Sequence, residues 1–365
     1  MSTLETNSIG KYNGNNVSFD DALRLKNYTT TQRDALTSVA GDLIYNSTDS
    51  EVQVYDGSSW VSLGAITQGD AITVNYLVVG AGGGGGKHTG RGSGGGGGGG
   101  CANSYNSETS GRDPKITFSA FSLYKNLRYN VGIGAGGTGG PSSNNMGQDG
   151  TGSYFHTAVG PGGGAGSDGH ANGGRNHYGR SGSASGGGGH HTGGNGRGNE
   201  QFGYDGGGGH SAGNNWQGGG GGGAGGNGSN GSSGAPGAGG VGKVFTIINA
   251  TNAASASVGQ VDSGNVYYAG GGAGGGYISG IAGGGLGGGG QGNGGTTPGT
   301  ANTGGGGGGS KDGGPAGGTG GSGVVIMRFP ACATLAVSPG TNLTAAHPGG
   351  EKVAVFKTSG TLTVS

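Results

Sequence analysis

Two glycine motifs in the chain have the spacing of nucleotide-binding loops. Residues 80–85 follow an apolar, strand-like segment and match G-x-G-x-x-G, and residues 237–243 match G-x-x-x-x-G-K. A dinucleotide loop must open a helix whose N-terminus faces the pyrophosphate, but a glycine-rich stretch that favours no helix follows Gly85. A phosphate-binding loop needs Ser or Thr after its lysine to ligate Mg²⁺, and Val244 stands there. We therefore expect no nucleotide and no other cofactor.

Histidines and acidic residues are too scattered to predict a metal site or a catalytic pair. Seven of the eight histidines lie in the glycine-rich part of the chain, without the helical or Cys-x-x-Cys spacing that is typical of zinc sites. The adjacent His190 and His191 leave metal binding open as the weaker alternative to simple loop polarity. Asp168, Glu200 and Asp205 stand in separate loops, whereas a glycosidase needs two carboxylates at a set separation. The sequence predicts a protein that is not an enzyme.

Loops between the glycine tracts are rich in aromatic and amide side chains. Exposed rings beside amide and guanidinium donors suit sugar binding, by stacking and by hydrogen bonds. The alternative is that the rings fill gaps between glycine tracts as a small core, and both interpretations stay open. Trp216 is the first residue to test. The candidate binding residues are Tyr154, His156, Tyr178, Phe202, Tyr204 and Trp216.

The composition sets strong limits on how this chain can fold. It has 107 glycines in 365 residues and a formal net charge of +0. Leu, Ile, Val and Phe supply roughly one residue in seven, which is below the usual share in globular proteins. Ordering glycine costs more backbone entropy than ordering any other residue. Dense backbone hydrogen bonding between close-packed strands must therefore replace side-chain burial.

Charge, apolar runs and cysteines exclude several classes of partner and location. A neutral chain disfavours nucleic acid as the main partner. No apolar run approaches the ~20 residues that span a bilayer, and the first residues do not resemble a secretory signal. Two cysteines, Cys101 and Cys332, make no disulfide framework.

Residues 1–69 predict a small unit of β-strands with one short helix. Thr31 is a candidate helix N-cap with Asp34 in the first turn, and Gly41 could end the helix. Three strand-like segments bounded by turn residues then predict a β-meander; they are residues 43–46, 52–55 and 60–63. Such a unit is too small to be stable alone, so we expect trimerisation to complete its core.

Residues 70–330 predict a β-sandwich interleaved with polyglycine II-like strands. β-branched and aromatic segments without helical spacing supply the sandwich strands; they are residues 72–79, 115–118, 129–133, 243–248, 266–268 and 324–329. Glycine recurs at every third position in residues 219–240 and 314–323, and three residues per turn is also the period of the polyproline II conformation. Laterally hydrogen-bonded polyglycine II strands fit this pattern better than collagen, because proline is scarce; a flexible linker is the alternative.

Residues 331–365 end in two strand-like segments, 352–357 and 361–364, around Thr358, Ser359 and Gly360. This pattern predicts a C-terminal β-hairpin, either as a second small unit or as an extra strand pair on the sandwich. The fold class is therefore mainly β in three parts, residues 1–69, 70–330 and 331–365.

Particular segments resemble bacteriophage virion proteins. A segment common in phage tail-fibre and virion structural proteins is similar to residues 29–36 (T-T-T-Q-R-D-A-L), 42–46 (D-L-I-Y-N) and 53–60 (Q-V-Y-D-G-S-S-W). The start of marine T4-like and cyanophage structural proteins is similar to residues 1–4 with 7–9. The body resembles a glycine-rich domain family of such phages in the order of five pieces. The pieces are residues 76–82 (Y-L-V-V-G-A-G), 129–137 (Y-N-V-G-I-G-A-G-G), 158–163 (A-V-G-P-G-G), 268–272 (Y-A-G-G-G) and 323–330 (G-V-V-I-M-R-F-P).

These resemblances imply a function on the phage particle. By composition the body is distantly similar to the polyglycine-sandwich adhesins at fibre tips of T-even-like phages, whose distal loops bind the host receptor. The expected protein is a homotrimeric tail-fibre or tail-tip adhesin in the virion, assembled in the host cytoplasm and released by lysis. Its expected partners are a host surface glycan or outer-membrane protein and other virion tail proteins. The alternative is a purely structural virion component, such as a capsid decoration or fibre subunit without receptor contact.

Overall fold

The chain forms two compact units, Met1–Asp70 and Ala71–Ser365, in the computed structural model. The structure describes residues 25–63, 71–111, 118–142, 145–169, 171–172, 175–176, 179–189, 196–198, 201–213, 215–277, 280–292 and 297–365. Residues 115–117 of a predicted strand and the virion-like start, residues 1–9, lie outside the described residues.

The first unit is a four-stranded sheet with one helical turn. Its elements are β1 (Asn27–Tyr28), α1 (Thr30–Asp34), β2 (Leu43–Asn46), β3 (Glu51–Tyr55) and β4 (Trp60–Ser62). The strands follow the order β1-β2-β3-β4. The meander of β2, β3 and β4 matches the predicted one, while β1 adds a parallel edge that the sequence pattern did not indicate.

Helix α1 begins and ends earlier than predicted. Thr29, not Thr31, is the N-cap, because Gln32 stands three residues later and completes a capping box. The Gln32 side chain accepts from the Thr29 amide at 2.9 Å. The helix ends at the C-cap Ala35, well before Gly41.

The turn between β3 and β4 is held by one carboxylate. The amides of Ser59 and Ser58 each donate to Asp56 Oδ1 at 2.7 Å. These hydrogen bonds to the charged form lower the pKa of Asp56 to about 2. The carboxylate thus satisfies the turn's backbone donors at neutral pH.

Polar side chains fill the space between the sheet and α1. Asn46 and Gln53 are buried, and Asn46 Nδ2 donates to Gln53 Oε1 at 3.1 Å and to Asp49 Oδ2 at 2.8 Å. Arg33 Nη1 also donates to Gln53 Oε1, at 2.9 Å. Among the described residues of this unit, Ile44 is the one buried hydrophobic residue. The unit therefore has a hydrogen-bonded polar interior and very little hydrophobic core of its own.

The second unit contains the remaining strands and one helix. They are β5 (Ala71–Val79), β6 (Cys101–Asn103), β7 (Phe121–Tyr124), β8 (Arg128–Gly132), β9 (Ser153–Phe155), β10 (Ala158–Gly160), β11 (Ala171–Asn172), β12 (Arg175–Asn176), β13 (His210–Ala212), β14 (Asn215–Gln217), β15 (Lys243–Val244), α2 (Ala250–Ala256), β16 (Gln260–Asp262), β17 (Asn265–Tyr268), β18 (Val324–Phe329), β19 (Leu335–Ser338), β20 (Leu343–Ala346), β21 (Lys352–Phe356) and β22 (Gly360–Val364).

Two antiparallel sheets form the predicted sandwich. One has the order β20-β21-β18-β5-β6 with β7 also on β5, and the other has the order β10-β9-β8-β22-β19. Tyr76, Phe155 and Phe356 are among the buried side chains between them. The opposite side of β5 and β18 packs against a third layer, in which Phe245 and Tyr268 join α2. Strand β18 is buried along its whole length because it is covered on both faces.

The C-terminal strands join this sandwich, but they do not pair with each other. Strand β21 pairs with β18 and β20, whereas β22 pairs with β8 and β19 in the facing sheet. The prediction that these two strands form a hairpin with each other is therefore wrong. Both strands gain more apolar burial by lying in opposite sheets than a two-stranded ribbon would allow.

Helix α2 is an element that the sequence pattern did not predict. The expected strand at residues 243–248 ends at Val244. Asn249 caps the helix that follows, because its side chain accepts from the Asn252 amide at 2.8 Å. The alanines of α2 allow it to pack closely on the sheet, and Ala253 and Ala256 are buried there.

The glycine tracts are straight runs that hydrogen-bond to six neighbours. In residues 93–100 successive amides donate to three neighbouring runs in turn: Gly94 to Ser167, Gly95 to Gly219, Gly96 to Gly307, Gly97 to Gly164, Gly98 to Gly222, Gly99 to Gly304 and Gly100 to Pro161. The carbonyls accept from three more runs: Gly94 from Gly86, Gly95 from Gly187, Gly96 from Gly272, Gly97 from Gly83, Gly98 from Ala184 and Gly100 from Gly80. A three-residue repeat of bond directions is the geometry expected of packed polyglycine II strands.

The three-residue glycine spacing in the sequence corresponds to one side of a run. Gly317, Gly320 and Gly323 donate in order to Gly140, Gly137 and Gly134 of a single neighbouring run. Residues 219–240 keep the same spacing but are not one continuous strand. The chain reverses where the Gly223 amide bonds to Gly226 and again where Ser232 bonds to Ala235. We call the described packed runs within residues 80–100, 133–152, 161–242 and 269–323 the glycine body.

Side chains have no room inside the glycine body. A Cβ added at Gly96 would lie 2.1 Å from the carbonyl oxygen of Gly83. At Gly234, in a turn, a Cβ would meet nothing within 4 Å. Glycine is thus required in the runs by backbone contact, and at Gly234 it is not.

We predict that Gly96→Ala destabilises the protein by about 3 kcal/mol, because neighbouring backbone must move to accept the methyl group. Gly234→Ala is the matched control and should be neutral or slightly stabilising. Chemical denaturation of both variants measures the difference. Equal stabilities would contradict the close packing described above.

Cys101 is buried between the sandwich and the third layer, and Cys332 is exposed. Burial raises the pKa of Cys101 to about 12, and the charge of Lys243 opposes this only in part. Burial also lowers the pKa of Lys243, while Cys101 and Glu108 raise it. Lys243 Nζ donates to the Gly111 carbonyl at 3.1 Å and to Thr109 Oγ1.

We predict that only Cys332 reacts with a thiol reagent at pH 8 in the folded protein. A thiol with a pKa near 12 is roughly one ten-thousandth thiolate at that pH, and it is also shielded from solvent. Cys332→Ser should abolish the fast reaction, and denaturant should release one further thiol. Two fast-reacting thiols in the native protein would be incompatible with a sealed Cys101.

Candidate functional site

The glycine runs leave the sandwich and return to it, so their turns gather at two ends. Residues 80–86 continue from β5, and residues 93–100 lead back into β6. Gly80 bonds to Gly100 and Gly86 to Gly94, so the two runs are antiparallel neighbours. At ~3.1 Å per residue, seven residues carry the chain about 20 Å from the sandwich. We call the end with residues 87–92 the distal end.

The distal turns hold one another through side chains and backbone. Lys87 forms a β-bridge with Asn145, and its Nζ donates to the Gly314 carbonyl at 2.9 Å. Asp312 Oδ1 accepts from the Gly90 amide. Three turns that are far apart in sequence therefore form one continuous surface at this end.

Trp216 lies at the distal end in a cluster with two residues from other turns. The guanidinium carbon of Arg91 lies 4.8 Å from the centroid of the Trp216 ring. Tyr277 meets the same ring edge to face, with centroids 5.0 Å apart and an interplanar angle of 69°. We call Arg91, Trp216 and Tyr277 the distal aromatic cluster.

A short hairpin positions Trp216. Strands β13 and β14 pair so that Trp216 stands opposite Ser211, and Gln217 forms a bridge to Gly276 next to Tyr277. Asn215 Oδ1 accepts from Gln217 Nε2 at 2.8 Å. These bonds connect the hairpin to the neighbouring turn and hold the cluster on backbone that is itself part of the glycine body.

The distal aromatic cluster offers the chemistry of a recognition surface. A guanidinium on an indole ring supplies fixed hydrogen-bond donors beside apolar area, and a phenol adds one donor and acceptor. All three side chains are partly exposed. Since Arg91 and Tyr277 also pack on Trp216, the same contacts hold the turns together. The cluster therefore stabilises the contact between the distal turns and also leaves part of each side chain exposed for binding.

Tyr154 and His156 lie on the sandwich and not at the distal end. Both belong to the hairpin of β9 and β10, and the His156 ring lies 4.7 Å from that of Phe121. The Tyr154 ring covers Gly132, where an added Cβ would approach it to 2.1 Å. The exposed Tyr154 thus shields a glycine in the neighbouring strand.

Phe202 and Tyr204 lie near the sandwich end of the glycine body. An added Cβ at Gly111, in the segment that follows β6, would be 2.7 Å from the Phe202 Cα. The Tyr204 amide donates to Gly223, and its carbonyl accepts from Ser185. Both residues are half-buried. Tyr178 lies outside the described residues. Of the other candidates, Tyr154 lies with His156 on the sandwich and Phe202 with Tyr204 near it. Trp216 alone lies at the distal end.

The glycine motifs have structural settings that differ from those of nucleotide loops. Residues 80–85 form a run of the glycine body and open no helix, and Lys243 starts strand β15. Within the described ranges, no three His, Cys, Asp or Glu side chains are grouped to hold a metal ion. His190 and His191 lie outside those ranges. Of the helices described, none has the length and hydrophobicity of a membrane span.

These features define a mainly β protein in which a sandwich carries a body of packed polyglycine II strands. A family model described as glycine-rich domain matches residues 61–330, most of the chain. The chain therefore belongs to the glycine-rich domain family. No curated protein and no solved structure matches it significantly.

Sequence reasoning did not find two residues of the distal aromatic cluster. Arg91 precedes Trp216 by more than a hundred residues, and Tyr277 follows it by some sixty. Neither stands in an aromatic segment like that of residues 214–217. Their proximity depends on the register of glycine runs, which the spacing of residue types does not encode.

We predict that Arg91→Ala destabilises the protein by about 1 kcal/mol, the size of a partly exposed cation–π contact. The variant should also shift tryptophan emission to the red, because Trp216 gains contact with water. Arg180→Ala removes an exposed ion pair with Asp149, at 3.3 Å, and should change little. Urea titration and fluorescence spectra distinguish the two, and an unshifted emission in Arg91→Ala would contradict the cluster.

Proposed function

We propose that the protein is a bacteriophage virion protein, a tail-fibre or tail-tip adhesin that binds a receptor on the host surface. The resemblance of residues 29–60 to tail-fibre segments supports the link to phages. In this proposal the protein acts as a homotrimer in the virion tail, with other tail proteins as partners. It is assembled in the host cytoplasm, is released by lysis and performs no catalytic step.

The observation that carries the proposal is a stiff body that presents the distal turns. Binding residues are commonly placed on loops that a rigid scaffold positions. Each run in the glycine body is held by lateral hydrogen bonds to its neighbours, so the turns lose little further freedom when they bind. Such preorganisation lowers the entropic cost of binding. A fibre tip needs this property, because it must engage a receptor while attached to a large particle.

The distal aromatic cluster supports a polysaccharide or an outer-membrane protein as the receptor. Tryptophan, tyrosine and arginine are the residues that most often dominate binding energy at interfaces. A sugar ring packs on aromatic carbon while its hydroxyls bond to guanidinium and amide groups. Arg91 lies close enough to Trp216 to serve in this way.

A purely structural role on the virion is the second candidate. Its support is that Arg91 and Tyr277 both pack against the Trp216 ring. On this alternative the cluster joins the distal turns and contacts no receptor. The two candidates differ in whether removing the rings costs binding or only stability.

We predict that Trp216→Ala with Tyr277→Ala lowers binding to receptive cells at least tenfold, the effect of losing a modest hot spot. Fluorescently labelled full-length protein is titrated against a panel of bacterial cells and their purified surface polysaccharides. Melting temperature is measured in parallel, so that loss of fold is separated from loss of contact.

Tyr124→Ala is the control, since Tyr124 is an exposed ring on strand β7 of the sandwich. Tyr154→Ala and Phe202→Ala test the other candidate residues separately. A folded double variant that binds as tightly as the wild type would exclude the distal cluster as a receptor site. Binding to no cell or polysaccharide in the panel would favour the structural candidate.

A further inference from the structure

The first unit contains a cavity between the end of α1 and the hairpin of β3 and β4. It is lined by residues from the segments 33–38 and 55–60, and its volume is about 400 Å³. Cavities of roughly 300–1,000 Å³ are the usual size of ligand sites in proteins. We call it the hairpin pocket and define it by Arg33, Asp34, Ser38, Tyr55 and Trp60.

Two aromatic rings line the hairpin pocket. Tyr55 and Trp60 are paired directly across the ladder of β3 and β4, so their side chains project to the same side of the sheet. Their ring centroids are 5.4 Å apart at an interplanar angle of 57°, and both residues are half-buried. The face of an indole or phenol ring attracts a cation placed over it. The rings therefore offer both apolar carbon and an electrostatic preference for positive charge.

The cation in the wall of the pocket is fixed and compensated. Arg33 donates from Nε and Nη2 to Asp34 Oδ1, at 2.9 Å and 2.7 Å, and from Nη1 to Gln53 Oε1 at 2.9 Å. Asp49 Oδ2 lies 3.8 Å from the same Nη1. Two carboxylates thus flank one guanidinium, and the Asp34 side chain is 59% exposed. A second cation in the pocket would meet more negative than positive charge.

The first unit as a whole is acidic. Met1–Asp70 contains four basic and nine acidic residues, a formal net charge of −5, whereas the complete chain has a net charge of +0. Asp56, whose pKa is lowered to about 2, stays ionised at neutral pH and bonds to Ser58 and Ser59, which also line the pocket. Such a potential attracts cationic ligands and repels phosphate or acidic sugars.

One hydroxyl in the pocket wall makes no hydrogen bond. Ser38 Oγ is buried and has no hydrogen-bond partner among the residues that the structure describes. Buried polar atoms are nearly always paired, so this oxygen is a candidate to contact a ligand. A hydroxyl oxygen can accept from the N–H groups of a guanidinium or an ammonium.

We propose that the hairpin pocket binds an arginine or lysine side chain of a protein partner. Tyr55 and Trp60 pack on the alkyl stem and face the cation, Asp34 supplies negative charge, and Ser38 accepts a hydrogen bond. A neutral sugar could use the same rings, but it would gain nothing from the charge of the unit. The site does not rest on receptor binding, because the distal aromatic cluster belongs to the other unit and takes no part in it.

Titration of the full-length chain with a small arginine probe tests the pocket. The probe is N-acetyl-arginine methylamide, and binding is followed by saturation-transfer NMR. N-acetyl-citrulline methylamide is the matched probe, because it has nearly the same shape without the charge. The arginine probe should bind at least about tenfold more tightly, the size of a cation–π contact joined to a charged hydrogen bond. Its affinity should also fall as salt is added, since salt screens partly exposed charges.

Two variants of equal charge change locate the binding. Asp34→Asn should weaken the arginine probe about fivefold and leave the citrulline probe unchanged. Glu51→Gln is the matched control, since Glu51 lies in the same unit but bonds to Ser62 outside the pocket lining, and it should change little. Trp60→Ala should weaken both probes, with thermal melting measured to confirm the fold.

Three results would overturn the proposal. They are equal binding of the two probes or of neither, equal effects of Asp34→Asn and Glu51→Gln, and tighter binding of a neutral sugar such as methyl glucoside. The last result would assign the pocket to glycans instead. The comparison of probes uses the wild type alone, so it remains decisive if a variant fails to fold. Cell binding is not measured here, so failure of the receptor proposal would leave this test unaffected.

Discussion

Backbone hydrogen bonding between chain segments that have no side chains is the interaction on which this structure depends. Each inner glycine run directs its amides to three neighbours and receives bonds from three more. This arrangement requires backbones to approach so closely that a Cβ would overlap a carbonyl, as at Gly96. Ordering glycine costs backbone entropy, and the many hydrogen bonds formed between neighbouring runs offset this cost. These bonds also pair the peptide groups that the packing buries.

The sandwich anchors the glycine body and contains most of the hydrophobic residues. Strands β5, β6 and β18 each continue directly into glycine runs, so the sheet determines where those runs begin and in which register they pack. Strands β5 and β18 lie between two hydrophobic clusters. The few apolar residues of the chain thus lie mainly around β5 and β18, the strands from which glycine runs extend.

The separation between a hydrophobic sandwich and a backbone-bonded glycine body is relevant to the proposed adhesin. The glycine body can be long and stiff while its turns vary, because the lateral bonds involve only backbone. Trp216 contacts Arg91 and Tyr277 from other turns, so the distal end is a packed surface and not a set of independent loops. The first unit has the opposite character, with a hydrogen-bonded polar interior and very little hydrophobic core of its own.

The sequence by itself determined the class of structure and many of its strands. Glycine content and three-residue spacing predicted laterally bonded runs, and β-branched segments predicted β5, β8, β17 and β18, because these patterns reflect local geometry and burial. The sequence also indicated Trp216 as a candidate, whose role in binding is still a prediction. Only the tertiary structure decided that the C-terminal strands lie in opposite sheets, that α2 follows Asn249 and that Arg91 and Tyr277 meet Trp216. Those features depend on which distant segments pair, and a glycine run carries no side chains to specify its neighbour, so its register is determined by the sheets at its ends.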